Sequence, residues 1–191
     1  MLYRKDDEKF GLLLSPLYAL GARLAPSIRR FYAFAVEDLK GSKAHSILDV
    51  GCGPGDVAIM AASRSRAKFY AVDPSAAMVW IARHRRRPSK VRFALGSSRS
   101  IPFKKKFDII YASLSFHHWP DKGESLSYIK GFLANSGEIR IYEFKKRRGV
   151  SKAVNAHTMD MNSLKKAAAE AGLRLSSKKE TKEFIRVTLK R

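Results

Sequence analysis

The amino-acid sequence predicts an α/β fold: a doubly wound, mostly parallel sheet of seven strands, with a final antiparallel strand and a helical cap at the N-terminus. The first observation behind this prediction is that, from Ser46 onward, short apolar runs alternate with longer stretches that suit crossover helices. That rhythm is typical of a parallel sheet covered by helices on both faces. The second observation is that two short segments near the C-terminus alternate apolar and polar residues, as half-exposed strands do.

The N-terminal part of the chain is expected to be helical. Residues 12–40 predict two helical pieces that are separated near Pro26, and Gly41 and Ser42 mark their end. We expect residues 1–42 to form a helical cap on a core of residues 43–191. Both parts belong to one domain, because 191 residues suit a single domain.

Five apolar runs predict the parallel strands, at residues 47–50, 69–72, 91–95, 107–112 and 138–142. The stretches between them predict crossover helices at residues 56–66, 75–86 and 123–134. A last helix at residues 163–171 ends at Gly172, a residue suited to capping a helix C-terminus. Two strands follow, at residues 173–175 and 185–189, and residues 176–182 are expected to connect them.

Positive charge is the unusual feature of the composition. Lys and Arg number 38 against 17 Asp and Glu, which gives a net charge of +21. Such an excess favours polyanionic partners: RNA, DNA, an acidic membrane surface or a phosphorylated substrate. The basic runs at residues 83–87 and 104–106 fall on the edge of the predicted sheet away from the glycine-rich turn, and we expect them to be solvated surface.

Cysteine usage and hydrophobicity exclude several classes of protein. The apolar stretch at residues 12–24 is interrupted by polar residues, a proline and a glycine, so it is too broken to span a bilayer. The single cysteine, Cys52, excludes an internal disulfide framework and an all-cysteine metal site. We therefore expect a cytoplasmic protein with no membrane span and no bound metal.

Three glycines in five positions follow the first predicted strand, in the segment ILDVGCGPGDVAIMAA at residues 47–62. In a parallel sheet, ligands bind beyond the carboxyl ends of the strands, and glycines there let the backbone approach a ligand closely. The spacing is G-x-G-x-G, with Asp56 where the dinucleotide fingerprint has its third glycine. That argues against NAD, and no G-K-[ST] segment supports a nucleotide phosphate loop.

The segment LDVGCGPG resembles, almost letter for letter, the first motif of the class I S-adenosylmethionine-dependent methyltransferases, which have a Rossmann-like fold. A second segment, FYAVDPSAAM, also resembles this family, because an acid ends the second strand. The resemblance implies that the first motif holds the methionine and sulfonium end of the cofactor, that the acid binds the ribose hydroxyls, and that its neighbours flank adenine. By this resemblance, the methionine and sulfonium end is held by Asp49, Gly51, Cys52, Gly53 and Gly55. The ribose hydroxyls are bound by Asp73, and adenine is flanked by Pro74 and Met78.

Two further segments resemble the family, and the resemblance extends over residues 46–142. In ALGSSRSIPF, Gly96 is kept, while Ser97 stands where the family usually has an Asp that bonds the adenine amino group. Serine can still accept one hydrogen bond, and Ser98 is expected beside it. KFDIIYASLSFHHWPD resembles the fourth landmark and brings Ser113 to the carboxyl end of its strand. The implied product of the reaction is S-adenosylhomocysteine.

The histidine pair in SFHHWPD supplies the candidate catalytic residues. Methyl transfer from a sulfonium needs alignment, plus a base when the acceptor carries a proton. His117 or His118 is expected to take that proton, because a neutral imidazole can do so near pH 7. The alternative is that one imidazole only bonds backbone. Trp119 is expected as a pocket wall, and His157, in the loop at residues 145–160, is a second candidate.

Three functional hypotheses stay open. The first is a methyltransferase for a small molecule, to which the SFHHWPD segment and the short helical cap point. The second is an RNA or protein methyltransferase with a basic rim at the mouth of the site, although no aromatic residues are interleaved with that rim as base stacking would require. The third is a non-catalytic domain, for which only Ser97 speaks. The rim consists of Lys145, Lys146, Arg147 and Arg148.

Overall fold

The computed structural model describes residues 25–146 and 158–191. The helical piece predicted ahead of Pro26 lies outside the described residues, as does His157. Among the described helices, none has the length and apolar character needed to cross a membrane.

Seven strands and five α-helices make up the described structure. The helices are α1 (Pro26–Lys40), α2 (Asp56–Ser63), α3 (Ala76–His84), α4 (Lys122–Lys130) and α5 (Met161–Glu170). The strands are β1 (Ser46–Val50), β2 (Lys68–Asp73), β3 (Val91–Leu95), β4 (Phe107–Ser113), β5 (Leu133–Phe144), β6 (Arg174–Glu180) and β7 (Phe184–Lys190). A short 3₁₀ turn, Phe116–His118, follows β4.

All seven strands form one sheet, in the order β3-β2-β1-β4-β5-β7-β6. The first five pair in parallel, and β7 runs antiparallel between β5 and β6. The predicted α/β class and the final antiparallel strand are therefore confirmed. The carboxyl ends of β1, β2, β4 and β5 meet at one edge of the sheet, which is where ligands bind in such folds.

Two boundaries differ from the prediction. The helix predicted at residues 123–134 ends at Lys130, and β5 begins at Leu133 because Phe107 at the start of β4 pairs with it. The connection predicted at residues 176–182 belongs mostly to β6, which pairs with β7 over its whole length. The alternation at residues 173–175 located only the start of this edge strand, because every residue of β6 is exposed and the rest of it has no apolar alternation.

The core consists of one apolar layer on each face of the sheet. Alternation along β1 sends Leu48 into the layer that packs against α4 and α5, and Ile47 into the layer that packs against α1, α2 and α3. Helix α1 is anchored by Asp38, which accepts hydrogen bonds from Tyr142 at 2.7 Å and from Arg140 at 2.9 Å. The two layers fix the strand ends that carry the candidate site.

Candidate active site

The glycine turn lies at the carboxyl end of β1 and has a backbone that only glycine adopts easily. Gly51, Gly53 and Gly55 have φ values of 80°, 53° and 80°, in the left-handed region. A Cβ on Gly51 would lie 2.6 Å from the Cβ of Ser115, whereas a Cβ on Gly53 would meet nothing within 4 Å. Gly51 is therefore required for packing, and Gly53 presents bare backbone to open space.

Arg85, just after α3, fixes the far side of this turn. Its Nη1 donates to the carbonyl oxygen of Pro54 at 2.7 Å and lies 3.0 Å from Oδ1 of Asp56, the first residue of α2. Both side chains are largely buried. The expectation that the run at residues 83–87 is solvated surface is therefore wrong at Arg85, because this guanidinium is part of the support of the turn.

Asp73 ends β2 and faces the same turn. Its Oδ2 accepts a hydrogen bond from the backbone N–H of Gly53 at 2.7 Å, and its Oδ1 accepts one from Ser75 at 2.9 Å. Burial raises the pKa of Asp73 to about 6, although these two hydrogen bonds act to lower it. The carboxylate is thus held at the strand end with lone pairs left to accept further hydrogen bonds.

Asp49, on β1, is an almost fully buried acid of the site and has an oxygen without a hydrogen-bond partner among the described residues. The side chain of Tyr111 donates to Oδ2 at 2.7 Å, whereas Oδ1 is buried and makes no hydrogen bond with any described residue. Burial raises the pKa of Asp49 to about 8, opposed by the Tyr111 hydrogen bond and reinforced by the nearby charge of Asp73. An unsatisfied buried carboxylate oxygen costs free energy unless a ligand donates to it.

The segment after β3 forms a tight turn beside α3. A Cβ on Gly96 would lie 2.4 Å from the carbonyl oxygen of Ser100, so the glycine is required there. The Ser97 hydroxyl accepts a hydrogen bond from the backbone N–H of Arg99 at 3.2 Å, and Ser98 pairs with the Ser125 hydroxyl at 3.1 Å. Ser97 keeps a proton to donate and one lone pair.

A buried carboxylate lies behind His117 at the ends of β4 and β5. Nδ1 of His117 is 3.1 Å and 3.0 Å from the two carboxylate oxygens of Glu143, and Glu143 is 1% exposed. Burial raises the pKa of Glu143, and the contacts with His117 oppose that rise. If Nδ1 carries the proton toward Glu143, the lone pair of the neutral imidazole resides on Nε2.

The structure distinguishes the two predicted histidines. The ring of His118 lies 4.0 Å from that of His117, centroid to centroid, but His118 is exposed. Trp119, which was expected as a pocket wall, is buried and packs 5.1 Å from Phe116 in the core. Ser113 is half-buried at the end of β4.

A hydrogen bond joins the carboxyl ends of β1 and β4 beside the glycine turn. Ser115 donates to the carbonyl oxygen of Val50 at 2.7 Å. Leu114, between Ser113 and Ser115, has a φ of 52°, which is uncommon outside glycine. This backbone geometry brings the residues before the 3₁₀ turn close to Gly51.

Sequence reasoning missed three residues of this site: Tyr111, Arg85 and Glu143. Tyr111 and Glu143 each interrupt an otherwise apolar strand, in FDIIYAS and IRIYEF. A polar group in a buried strand needs a partner, which was the available signal. Arg85 gave no signal, since it belongs to a run of arginines.

The predicted basic rim is less available than its sequence suggests. Lys145 pairs with Glu180 at 3.1 Å. Arg147 and Arg148 lie outside the described residues. Arg30, on α1, makes a two-pronged contact with Glu183, with both distances at 2.8 Å.

Comparison with known proteins gives consistent results. A family model for a methyltransferase domain matches residues 47–137. The chain is 29% identical over 133 residues to methyltransferase GfsG of Streptomyces halstedii, covering 67% of this chain and 45% of that protein. It is 28% identical over 108 residues to a malonyl-[acyl-carrier protein] O-methyltransferase of Acetivibrio thermocellus, covering 56% and 38% respectively. The chain thus spans less than half the length of these curated relatives.

Among solved structures, a SAM-dependent methyltransferase of Aquifex aeolicus superposes with a TM-score of 0.74 at 17% identity, covering 95% of this chain and 98% of that one. That likeness shows a shared fold. The segment that the family model matches contains the whole glycine turn and both buried carboxylates, Asp49 and Asp73. Together these findings support a class I, Rossmann-like S-adenosylmethionine-dependent methyltransferase.

Proposed function

We propose that this chain transfers the methyl group of S-adenosylmethionine to an O–H acceptor on a small molecule, with His117 as the general base. The observation that carries the proposal is the buried carboxylate of Glu143 behind His117, 3.0 Å and 3.1 Å from Nδ1. A base of this kind is needed only when the acceptor carries a proton. One curated relative is named as an O-methyltransferase, which agrees with an oxygen acceptor.

The residues at the turn fit the cofactor in charge and in shape. The orphaned Oδ1 of Asp49 is an acceptor for the methionine ammonium group, and the open space at Gly53 leaves room for a ligand against the backbone. Asp73 would accept the ribose hydroxyls. Residues that would flank or bond the adenine end are Pro74, Met78, Gly96, Ser97 and Ser98, while Cys52, Gly51, Gly55 and Ser113 would shape the methionine end.

The bound cofactor supplies a methyl group already activated on a sulfonium. The protein's part is to align the acceptor and to take its proton. Nε2 of His117 accepts the proton from the acceptor oxygen, and the Glu143 carboxylate stabilises the imidazolium that results. This stabilisation is effective because Glu143 is almost fully buried, where charge-assisted hydrogen bonds are strong.

An RNA or protein acceptor is the alternative. That alternative rests on the basic rim, in which the charge of Lys145 is neutralised by an ion pair with Glu180. A non-catalytic role has less support, because a histidine backed by a buried carboxylate serves no obvious purpose in a domain that only binds a ligand.

The proposal is tested with methyl-labelled cofactor and a total cell extract, separated afterwards into RNA, protein and organic-soluble fractions. We expect label in the organic-soluble fraction, lost in His117→Gln and retained in the matched neighbour variant His118→Gln. Label confined to RNA or protein would overturn the small-molecule acceptor. Equal rates in the two variants would overturn the role of His117.

A further inference from the structure

One continuous part of the sequence contains no acid. Residues 74–107 hold ten Lys and Arg residues and no Asp or Glu. This segment builds α3, β3 and the loop that leads to β4. Because β3 is the outermost strand of the sheet, residues 76–95 of this segment form one edge of the molecule, here named the α3–β3 edge, whereas residues 97–107 cross toward α4 and the start of β4. The six cations of the edge are Arg83, Arg85, Arg86, Arg87, Lys90 and Arg92.

Most of the positive charge at the α3–β3 edge is not neutralised. Only Arg85 forms an ion pair with a described residue, Asp56. The other five make no ion pair within residues 25–146 and 158–191. Arg83, Arg87 and Lys90 donate to backbone carbonyl oxygens, which leaves the net charge in place.

The opposite edge of the sheet has a different charge balance. Around β5, β6 and β7, cations and acids alternate and pair with each other. The pairs there are Arg140 with Asp38, Lys145 and Lys178 with Glu180, Lys190 with Glu138, and Arg30 with Glu183. A larger share of the cations at this opposite edge is therefore paired, although residues 174–191 still hold seven Lys and Arg residues against two Glu.

Among the residues that the structure describes, the two most exposed large apolar side chains lie at this same α3–β3 edge. Trp80 on α3 is 62% exposed and Leu95 at the end of β3 is 54% exposed. The Trp80 ring stacks on His84 with centroids 4.4 Å apart. Positions 80, 83 and 84 share one face of the helix, so the indole lies on the same face as the cation Arg83.

We propose that the α3–β3 edge binds a single-stranded nucleic acid, with a base stacked on Trp80 and phosphates on the unpaired cations. An exposed aromatic ring among unneutralised Lys and Arg is the composition of a single-strand binding surface. A single strand fits better than a duplex, since a duplex keeps its bases stacked on each other. RNA and DNA share the chemistry that the surface recognises.

Trp80 and the unpaired cations of this surface lie apart from the proposed general base His117, although Met78 on the same helix is assigned to the adenine end of the cofactor. Three strand spacings separate β3 from β4 in the sheet, which is about 15 Å. Neither Trp80 nor Arg86 belongs to the residues assigned to the cofactor or to His117. The inference therefore does not depend on the proposed function, and each can fail alone.

The test titrates the protein with fluorescently labelled oligouridylate and oligothymidylate of about twelve nucleotides at several salt concentrations. We expect Trp80→Leu to weaken binding about tenfold. Arg86→Gln should reduce the slope of log K against log salt by about 0.7, the value for one phosphate contact on a single strand. Lys165→Gln, an exposed cation on α5 without an ion pair to any described residue, removes the same charge elsewhere and should change neither quantity.

Two further probes separate the surface from general electrostatic attraction. Heparin has charge but no bases, so Trp80→Leu should bind it as the wild type does. Oligonucleotide should quench the tryptophan fluorescence of the wild type, and the buried Trp119 that remains in Trp80→Leu should not respond. Unchanged oligonucleotide affinity in both Trp80→Leu and Arg86→Gln would overturn the proposal, as would tighter binding to vesicles of anionic phospholipid than to either oligonucleotide.

Discussion

Replacing Asp49 with Asn should remove most of the pH dependence of S-adenosylmethionine binding below pH 8. Burial raises the pKa of Asp49 to about 8, so its carboxyl group is mostly neutral at pH 6 and ionises as the pH rises. The cationic methionine end of the cofactor is attracted to the ionised carboxylate and gains little from the neutral acid. The affinity of the wild-type protein should therefore increase with pH.

The size of the effect follows from the ionised fraction of Asp49. With a pKa of about 8, the ionised fraction rises from about 1% at pH 6 to about 24% at pH 7.5. The association constant should therefore rise about 20-fold over this interval, which is about 1.8 kcal/mol. Asp73, whose pKa is about 6, contributes about twofold over the same range and is still present in Asp49→Asn.

The assay is isothermal titration of the protein with S-adenosylmethionine across this pH range, in pairs of buffers with different ionisation enthalpies. The wild type should release close to one proton per cofactor bound below about pH 7. The matched control is Asp108→Asn, at the opposite end of the sheet, where backbone hydrogen bonds from His45 and Ser46 lower the pKa of the carboxyl. A wild-type association constant that does not change with pH, with no proton release, would refute the reasoning.

The same carboxyl should also affect stability in the absence of cofactor. Its pKa in the folded state, about 8, lies above the unfolded value of about 3.9. A protonated Asp49 therefore contributes stability below about pH 4, and that contribution is lost as the pH rises through about 8. Thermal unfolding should show Asp49→Asn to be more stable than the wild type at about pH 8, with a smaller difference at about pH 5.

Three further predictions concern the neighbours of the cofactor turn. Arg85→Gln should raise the Kd for S-adenosylmethionine about tenfold, since a charged hydrogen bond that supports the turn is worth about 1.5 kcal/mol. The kcat at saturating cofactor should stay the same, and a lower kcat with an unchanged Kd would contradict this role. Glu143→Gln should lower kcat between about tenfold and 100-fold, with little change in the Kd for the cofactor. If steady-state kinetics give a wild-type kcat, Glu143 contributes only to packing. Gly53→Arg should abolish cofactor binding in calorimetry while leaving a folded protein, because its side chain projects into open space at the turn; Gly51→Arg, which clashes with Ser115, should unfold it.

The strand order and the glycine turn could be predicted because local patterns carry them. Apolar runs at regular intervals fixed β1 to β5, and the first motif located the site at the end of β1. The pattern revealed only the start of β6, at residues 173–175, since a strand exposed on both faces has little apolar alternation and its extent is defined by backbone pairing with β7.

Pairwise contacts between distant residues could not be predicted. Glu143 and His117 are 26 residues apart, and Asp49 and Tyr111 are 62 apart. Nothing in either local segment indicates its partner. The pattern of ion pairs could not be predicted either. The sequence determines the net charge, but the three-dimensional structure determines which cations pair with acids and which stay unpaired at the α3–β3 edge.

The position of β7 has a consequence for how the protein is made. Strand β5, which carries Glu143, pairs on one side with β4 and on the other with β7, where Glu143 is opposite Ile185. A ribosome releases β5 some forty residues before β7, so the apolar edge of β5 is open during that time. Open apolar edges invite pairing with other chains, and nascent chains stalled between the two strands should therefore depend on chaperones more than the completed protein does.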